Sequence, residues 1–102
     1  MIARVWHTQL QPDRLDDYEA FARERSLPMF QAQDGLLGVL LLGEGVERRV
    51  LTLWRDEAAI AALEASAAYR ATVAALLETG ILVPDTQSAE LYPVTAGWAA
   101  AP

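Results

Sequence analysis

The chain has 102 residues, 53% hydrophobic and 22% charged, which is enough for one folded domain with a modest core and too little for two. Its net charge of −6, with no basic stripe, excludes nucleic acid as a partner. All eight basic residues are arginines, and without lysine or cysteine the chain cannot use Schiff-base or thiol chemistry, disulfides or cysteine-ligated metals.

In chain order, Ile2 to Gln9 reads as a strand carried by the β-formers Ile2, Val5, Trp6 and Thr8. The opening MIARVWHTQL has no continuous apolar core of the signal-peptide type, because Arg4, His7 and Gln9 interrupt it. Pro12 and Asp13 open a helix that runs to about Arg25, with Leu15, Tyr18, Phe21, Ala22 and Arg25 at helical spacing. Leu27, Pro28 and Met29 are expected to break it, and Asp34-Gly35 to form a turn. Leu36 to Gly43 and Glu47 to Arg55 are two strands joined as a hairpin through Glu44-Gly45-Val46. The first of them is the longest uncharged apolar run, far too short to span a bilayer. The expectation is a cytoplasmic chain with no membrane partner.

The stretch LTLWRDEAAI turns the third strand directly into a second helix. Asp56 stands where an N-cap belongs, and Glu57 puts negative charge in the first turn, where the helix dipole favours it. Trp54 is then the last bulky side chain of the strand, either plain core or the wall of a cavity between sheet and helix. The helical region covers Glu57 to Thr79 with a break near Ser66, which can cap its second half, and Gly80 is its stop. Thr86 to Thr95 is the last strand, and 96–102 a small-residue tail, leaving 1–95 as the folded domain.

The order β-α-β-β-α-β predicts an α+β, ferredoxin-like fold with a four-stranded antiparallel sheet. Two helices cover only one face of such a sheet. Strand two is nevertheless apolar on both faces, alternation placing Leu36, Leu40 and Leu42 on one and Leu37, Val39 and Leu41 on the other. Strand three likewise sets Val50 and Trp54 against Leu51 and Leu53. Burial is worth about 25 cal/mol per Å² of apolar surface, so the uncovered face predicts a homodimer packed sheet to sheet about a twofold axis.

Polar candidates are few. His7 is the only histidine, and it alternates with Trp6, so the two point to opposite faces. If Trp6 faces the helices, His7 faces the dimer side, either as a general base or as a hydrogen-bonded interface residue. Tyr18 and Tyr69 lie on the inner stripes of the two helices, where each offers a hydroxyl or simply fills the core rim. Arg25 shares the Tyr18 stripe and is placed to reach an anionic group, whereas Arg70 and the pair Arg48-Arg49 read as solvated. The helix carboxylates, Glu19 among them, read as solvated faces with no acid/base couple. A lone histidine predicts no metal site.

The order of elements, the Pro12-Asp13 helix start, GLLGVLLL on strand two and LTLWRDEAAI together resemble the antibiotic biosynthesis monooxygenase domain family, over Met1 to about Thr95. The resemblance implies a dimeric α/β barrel with a pocket between sheet and helices in each protomer. It also implies one of several activities: cofactor-free oxygenation of aromatic polyketides, quinol oxygenation or haem degradation. Trp54 matches the tryptophan that lines the pocket in the family. The asparagine and the iron-ligating histidine of haem-degrading members fall at Trp6 and Val73, and the pocket asparagine of the polyketide type falls at Val50. Haem degradation is therefore not expected. What remains is a cofactor-independent monooxygenase acting on a small aromatic ligand, with His7 and Tyr18 catalytic and Trp6, Arg25, Trp54 and Tyr69 binding. The alternative is a non-catalytic sensing dimer with the same pocket.

Overall fold

Side-chain alternation along β1 (Ile2–Gln9) sets the orientation of the whole sheet. In the computed structural model, which describes residues 1–99, Arg4 and Thr8 are buried beneath the helices, and Ile2 and Trp6 pack against the core on the same face. Ala3, Val5, His7 and Gln9 face the other way. β3 (Glu47–Trp54) pairs with β1 from Ile2↔Trp54 to Gln9↔Glu47, and buries Arg48, Val50, Thr52 and Trp54 on the helix side. With β2 (Leu36–Leu42) and β4 (Ser88–Pro93) at the edges, the sheet is antiparallel in the order β2-β3-β1-β4. This is the ferredoxin-like β-α-β-β-α-β arrangement that the sequence predicts.

β2 departs from simple alternation. Its register on β3 runs Gly38↔Leu53 to Leu42↔Arg49, but Leu36 pairs with Trp54, so one extra residue is accommodated at Leu37. This bulge reverses the phase of the strand. Leu36 consequently packs into the core with Val39 and Leu41, rather than sharing a face with Leu40 and Leu42. Leu37 and Leu40 stand 54% and 57% exposed, leaving an uncovered apolar surface on the side away from the helices.

The first helical region also exceeds its expected bounds. α1 (Leu15–Phe21) continues through a π-helical turn, Ala22–Ser26, into α2 (Leu27–Gln31). In a regular helix the Pro28 ring would clash with the carbonyl four residues back. The wider turn, in which the Leu27 N–H donates to the Ala22 carbonyl five residues back, makes room, so Pro28 opens α2 instead of ending the helix. Pro12 and Asp13 lie just before α1, whose first turn carries Asp16 and Asp17.

α3 (Glu57–Ala65) starts on Asp56, whose carboxylate accepts from the Ala59 N–H at 2.9 Å. α4 (Ala67–Glu78) starts on Ser66, which accepts from the Tyr69 N–H at 3.3 Å. Both caps are those the sequence predicts. At Gly35 φ is +85°, and a Cβ there would sit 2.6 Å from the Ala59 Cβ, so only glycine lets the turn into β2 approach α3. β4 is shorter than expected because Asp85 turns with φ +65° and Thr86 hydrogen-bonds the Gln9 N–H at 3.0 Å before pairing with β1 begins. Of the expected tail, 96–99 are exposed and 100–102 lie outside the described residues. Among the described residues, no single helix is long and apolar enough to cross a membrane.

The core has two parts. One gathers Met29, Phe30, Val50, Trp54, Ala59, Ile60 and Leu63; the other gathers Leu10, Tyr18, Ala22, Leu76, Ile81 and Leu82. Trp6 touches both and lies over the seam between them.

Candidate functional site

A narrow cavity opens at that seam, between β1 and β3 beneath and the π-helical turn, α2 and α4 above. Its polar wall groups are Arg4, Tyr18, Ser26, Tyr69 and Thr72; Trp6, Met29, Phe30, Val50, Val73 and Leu76 complete it. The free volume is about 40 Å³, room for a few water molecules, whereas a benzene-sized void is about 150 Å³. An aromatic ligand therefore has to displace a wall. α4 is the weakest one, since Leu76 is its only buried side chain, while Tyr69 is half-buried and Val73 is 36% exposed.

Three of the expected site residues meet here. Trp6 reaches the cavity from β1, Tyr18 from α1 and Tyr69 from α4. Tyr18 is buried, and that burial pushes its phenol above the ordinary range, only partly opposed by the Arg48 guanidinium. Near neutrality it is a hydrogen-bond donor rather than a base. Ser26 takes the wall position expected for Arg25, because the π-helical turn inserts a residue into the helical period. Arg25 is exposed and stacks over the Phe21 ring, 5.0 Å from its centroid.

The structure corrects the expectation for Trp54. It is fully buried beneath α3 with Ala59, Ile60 and Leu63, and its indole N–H donates to Thr52 Oγ1 at 2.7 Å. The wall position belongs to Val50, two alternations earlier on the same face. His7 lies on the opposite face of the sheet, as its alternation with Trp6 requires, and there its Nε2 pairs with Glu47, which also accepts from Gln9 Nε2 at 2.8 Å. It does not reach the cavity. Among the described residues, no group of three or more histidine or carboxylate side chains is placed to hold a metal.

Two arginines are missing from the sequence-based candidates. Arg4 is buried and donates from Nη2 to the Tyr69 hydroxyl at 3.0 Å, with its guanidinium 5.5 Å from that ring's centroid. Its signal was available: it lies two residues before Trp6, on the same strand face. Arg48, expected in solvent, is buried over the Tyr18 ring and ion-paired with Glu19, while Arg49 is exposed as expected. A wider cleft of about 320 Å³ lies on that side of Tyr18, but its walls are more polar and its buried cation already has a carboxylate partner. The apolar cavity around Arg4 is the better ligand site.

Comparison with known proteins agrees with this architecture. The family model for antibiotic biosynthesis monooxygenase matches residues 1–75. Among solved structures, a protein of unknown function from Nitrosomonas europaea superposes with a TM-score of 0.78 at 20% identity, over 99% of this chain and 95% of that one. Rv0793 from Mycobacterium tuberculosis gives 0.76 at 18% identity, covering 96% and 98%. SnoaB, a cofactor-independent oxygenase from Streptomyces nogalater, gives 0.72 at 19% identity, covering 94% of each chain. At such identities the likeness is one of fold. No curated protein matches the chain.

Proposed function

Because the chain belongs to the antibiotic biosynthesis monooxygenase family, we propose that it is a cofactor-independent monooxygenase for a small, electron-rich aromatic substrate held between sheet and helices. The observation that carries this reading is the cavity itself, an aromatic enclosure of Trp6, Tyr18, Phe30 and Tyr69 with a few hydrogen-bond donors. In this chemistry the substrate supplies the electrons. A ring-activated CH₂ loses a proton, dioxygen adds to the carbon, and the O–O bond breaks with loss of water, so that CH₂ and O₂ become C=O and H₂O. The protein excludes water, orients the ring, and donates a proton from Tyr18 as the O–O bond breaks. The uncovered apolar face of the sheet supports a homodimer.

One observation favours a second reading. None of the side chains lining the cavity is a histidine or a carboxylate, so the protein offers the substrate no ordinary general base. A sensing dimer needs none. Oxygen consumption with a panel of hydroquinones and anthrones separates the two readings. Uptake that requires the protein and falls at least tenfold in Tyr18→Phe supports the oxygenase. Saturable binding with no uptake across the panel replaces it with the sensor.

A further inference from the structure

Two arginines are buried in this acidic chain, Arg4 at 6% and Arg48 at 7% exposure, and each guanidinium lies 5.5 Å from the centroid of a tyrosine ring. Their charges are treated differently. Arg48 has the Glu19 carboxylate and, through Nε, the Gly45 carbonyl at 2.8 Å. Among the described residues, Arg4 makes a single side-chain hydrogen bond, to the Tyr69 hydroxyl, and no carboxylate lies within ion-pair distance of it. A guanidinium taken out of water without an anion is costly. Yet no aspartate or glutamate lines the cavity into which Arg4 is built, although the chain has 14 of them.

We propose that the Arg4–Tyr69 pair is an oxyanion receptor, and that the substrate is bound as an ionised phenol or enol with its charged oxygen on this pair. The proposal rests on the cavity being the substrate site. Guanidinium offers five N–H donors in a planar fork, of which the side-chain hydrogen bond engages one. The Tyr69 oxygen accepts from Arg4, which leaves its own O–H free to donate to a ligand. Together they place two hydrogen-bonded donor groups, one of them charged, on the wall of a mainly apolar, aromatic slot. Such a site binds the anion in preference to the neutral acid and lowers the ligand's own pKa. It thereby makes up for the base the cavity lacks: the hydroxyl gives its proton to bulk water before the ligand enters, and the fixed positive charge holds the anion that results. The same pair discriminates against aromatic compounds that have no acidic hydroxyl.

The test uses 4-nitrophenol, whose ionised form has its own visible absorption band, and nitrobenzene as a neutral compound of nearly the same shape. With the wild-type protein, phenolate should bind about tenfold or more tightly than nitrobenzene, and the apparent pKa of bound nitrophenol should fall by roughly one unit. Arg4→Met should abolish both effects, and Arg4→Lys should restore part of the pKa shift. Tyr69→Phe, which keeps the charge and removes only the hydroxyl, should retain the sign of the shift while weakening binding. The wild-type comparison does not depend on any variant folding. Equal affinity for the two probes, no binding of either, or an undiminished shift in folded Arg4→Met overturns the proposal. Since none of these measurements involves oxygen, a retained shift without oxygen uptake on any substrate removes the oxygenase reading and leaves the receptor standing.

Discussion

The indole N–H of Trp54 donates to Thr52 Oγ1 at 2.7 Å, two residues back on the same strand and on the same buried face. The same hydroxyl donates to the Arg4 carbonyl at 3.3 Å, so it joins the tryptophan to β1. The largest aromatic side chain of the core is thus held as structure, away from the cavity. Thr52→Val keeps the shape but leaves a buried N–H without a partner, which should cost about 1–3 kcal/mol in urea unfolding. Trp54→Ala should cost about 3–5 kcal/mol, the usual range for truncating a buried aromatic. Ligand affinity in Thr52→Val should stay within twofold of wild type; a larger loss would return Trp54 to the site.

With Trp54 away from the wall, Trp6 becomes the fluorescent reporter of the cavity. Trp98, 89% exposed and beyond β4, is the natural control. Binding of a hydroquinone should quench tryptophan emission in the wild type and in Trp98→Phe, and quenching should largely vanish in Trp6→Phe. Quenching that survives in Trp6→Phe and disappears in Trp54→Phe would contradict the placement of both residues.

How far the sequence foretold this arrangement depends on whether one-residue shifts intervene. β1 and β3 alternate without interruption, so the opposed faces of Trp6 and His7 were legible, as were the caps at Asp56 and Ser66, whose chemistry is local. The bulge at Leu37 and the π-helical turn at Ala22–Ser26 each insert one residue into a regular period. The bulge leaves no local signal, and Pro28, the local mark of the irregular helix, reads as a break rather than as a wider turn. The first exchanged Leu36 for Leu37 beside Leu40 and Leu42 on the outer face, and the second put Ser26 on the cavity wall in place of Arg25. Arg4 and Arg48 were missed for a different reason. A charged side chain is read as solvated by default, and only the tyrosine rings above them, contributed from distant helices, make their burial possible.

The Arg48–Glu19 pair should give the protein an acid-sensitive stability. Hydrogen bonding to Arg48 holds the Glu19 carboxyl below its usual range. The unfolded chain therefore takes up the proton first as the pH falls. The stabilisation is complete above the unfolded-state value and is lost on acidification through the lower folded-state value. Glu19→Gln should cost only about 1 kcal/mol at neutral pH, since the Glu19 side chain is 40% exposed and screened by solvent. It should also flatten the dependence of stability on pH below the glutamate range. Urea midpoints measured at neutral pH and in mild acid would show this; parallel curves for wild type and variant would count against the pair.

The outer face of the sheet yields the prediction that bears most directly on assembly. Leu40 is 57% exposed in the protomer and Leu42 39%, on the side that carries no helix. Exposed leucines arrayed on a strand face are a liability for a lone chain and are accounted for by a second copy packed against them. Sedimentation equilibrium at micromolar concentration should give twice the 11.2 kDa chain mass. Leu40→Arg should give a single chain that is still folded, because the substitution places its charge where the protomer is already open to solvent and leaves the core of Leu36, Val39 and Leu41 untouched. That outcome separates an interface from a core, since a core position would lose the fold together with the assembly. If the wild type sediments as one chain, sheet-to-sheet pairing is excluded and the exposed leucines need another partner.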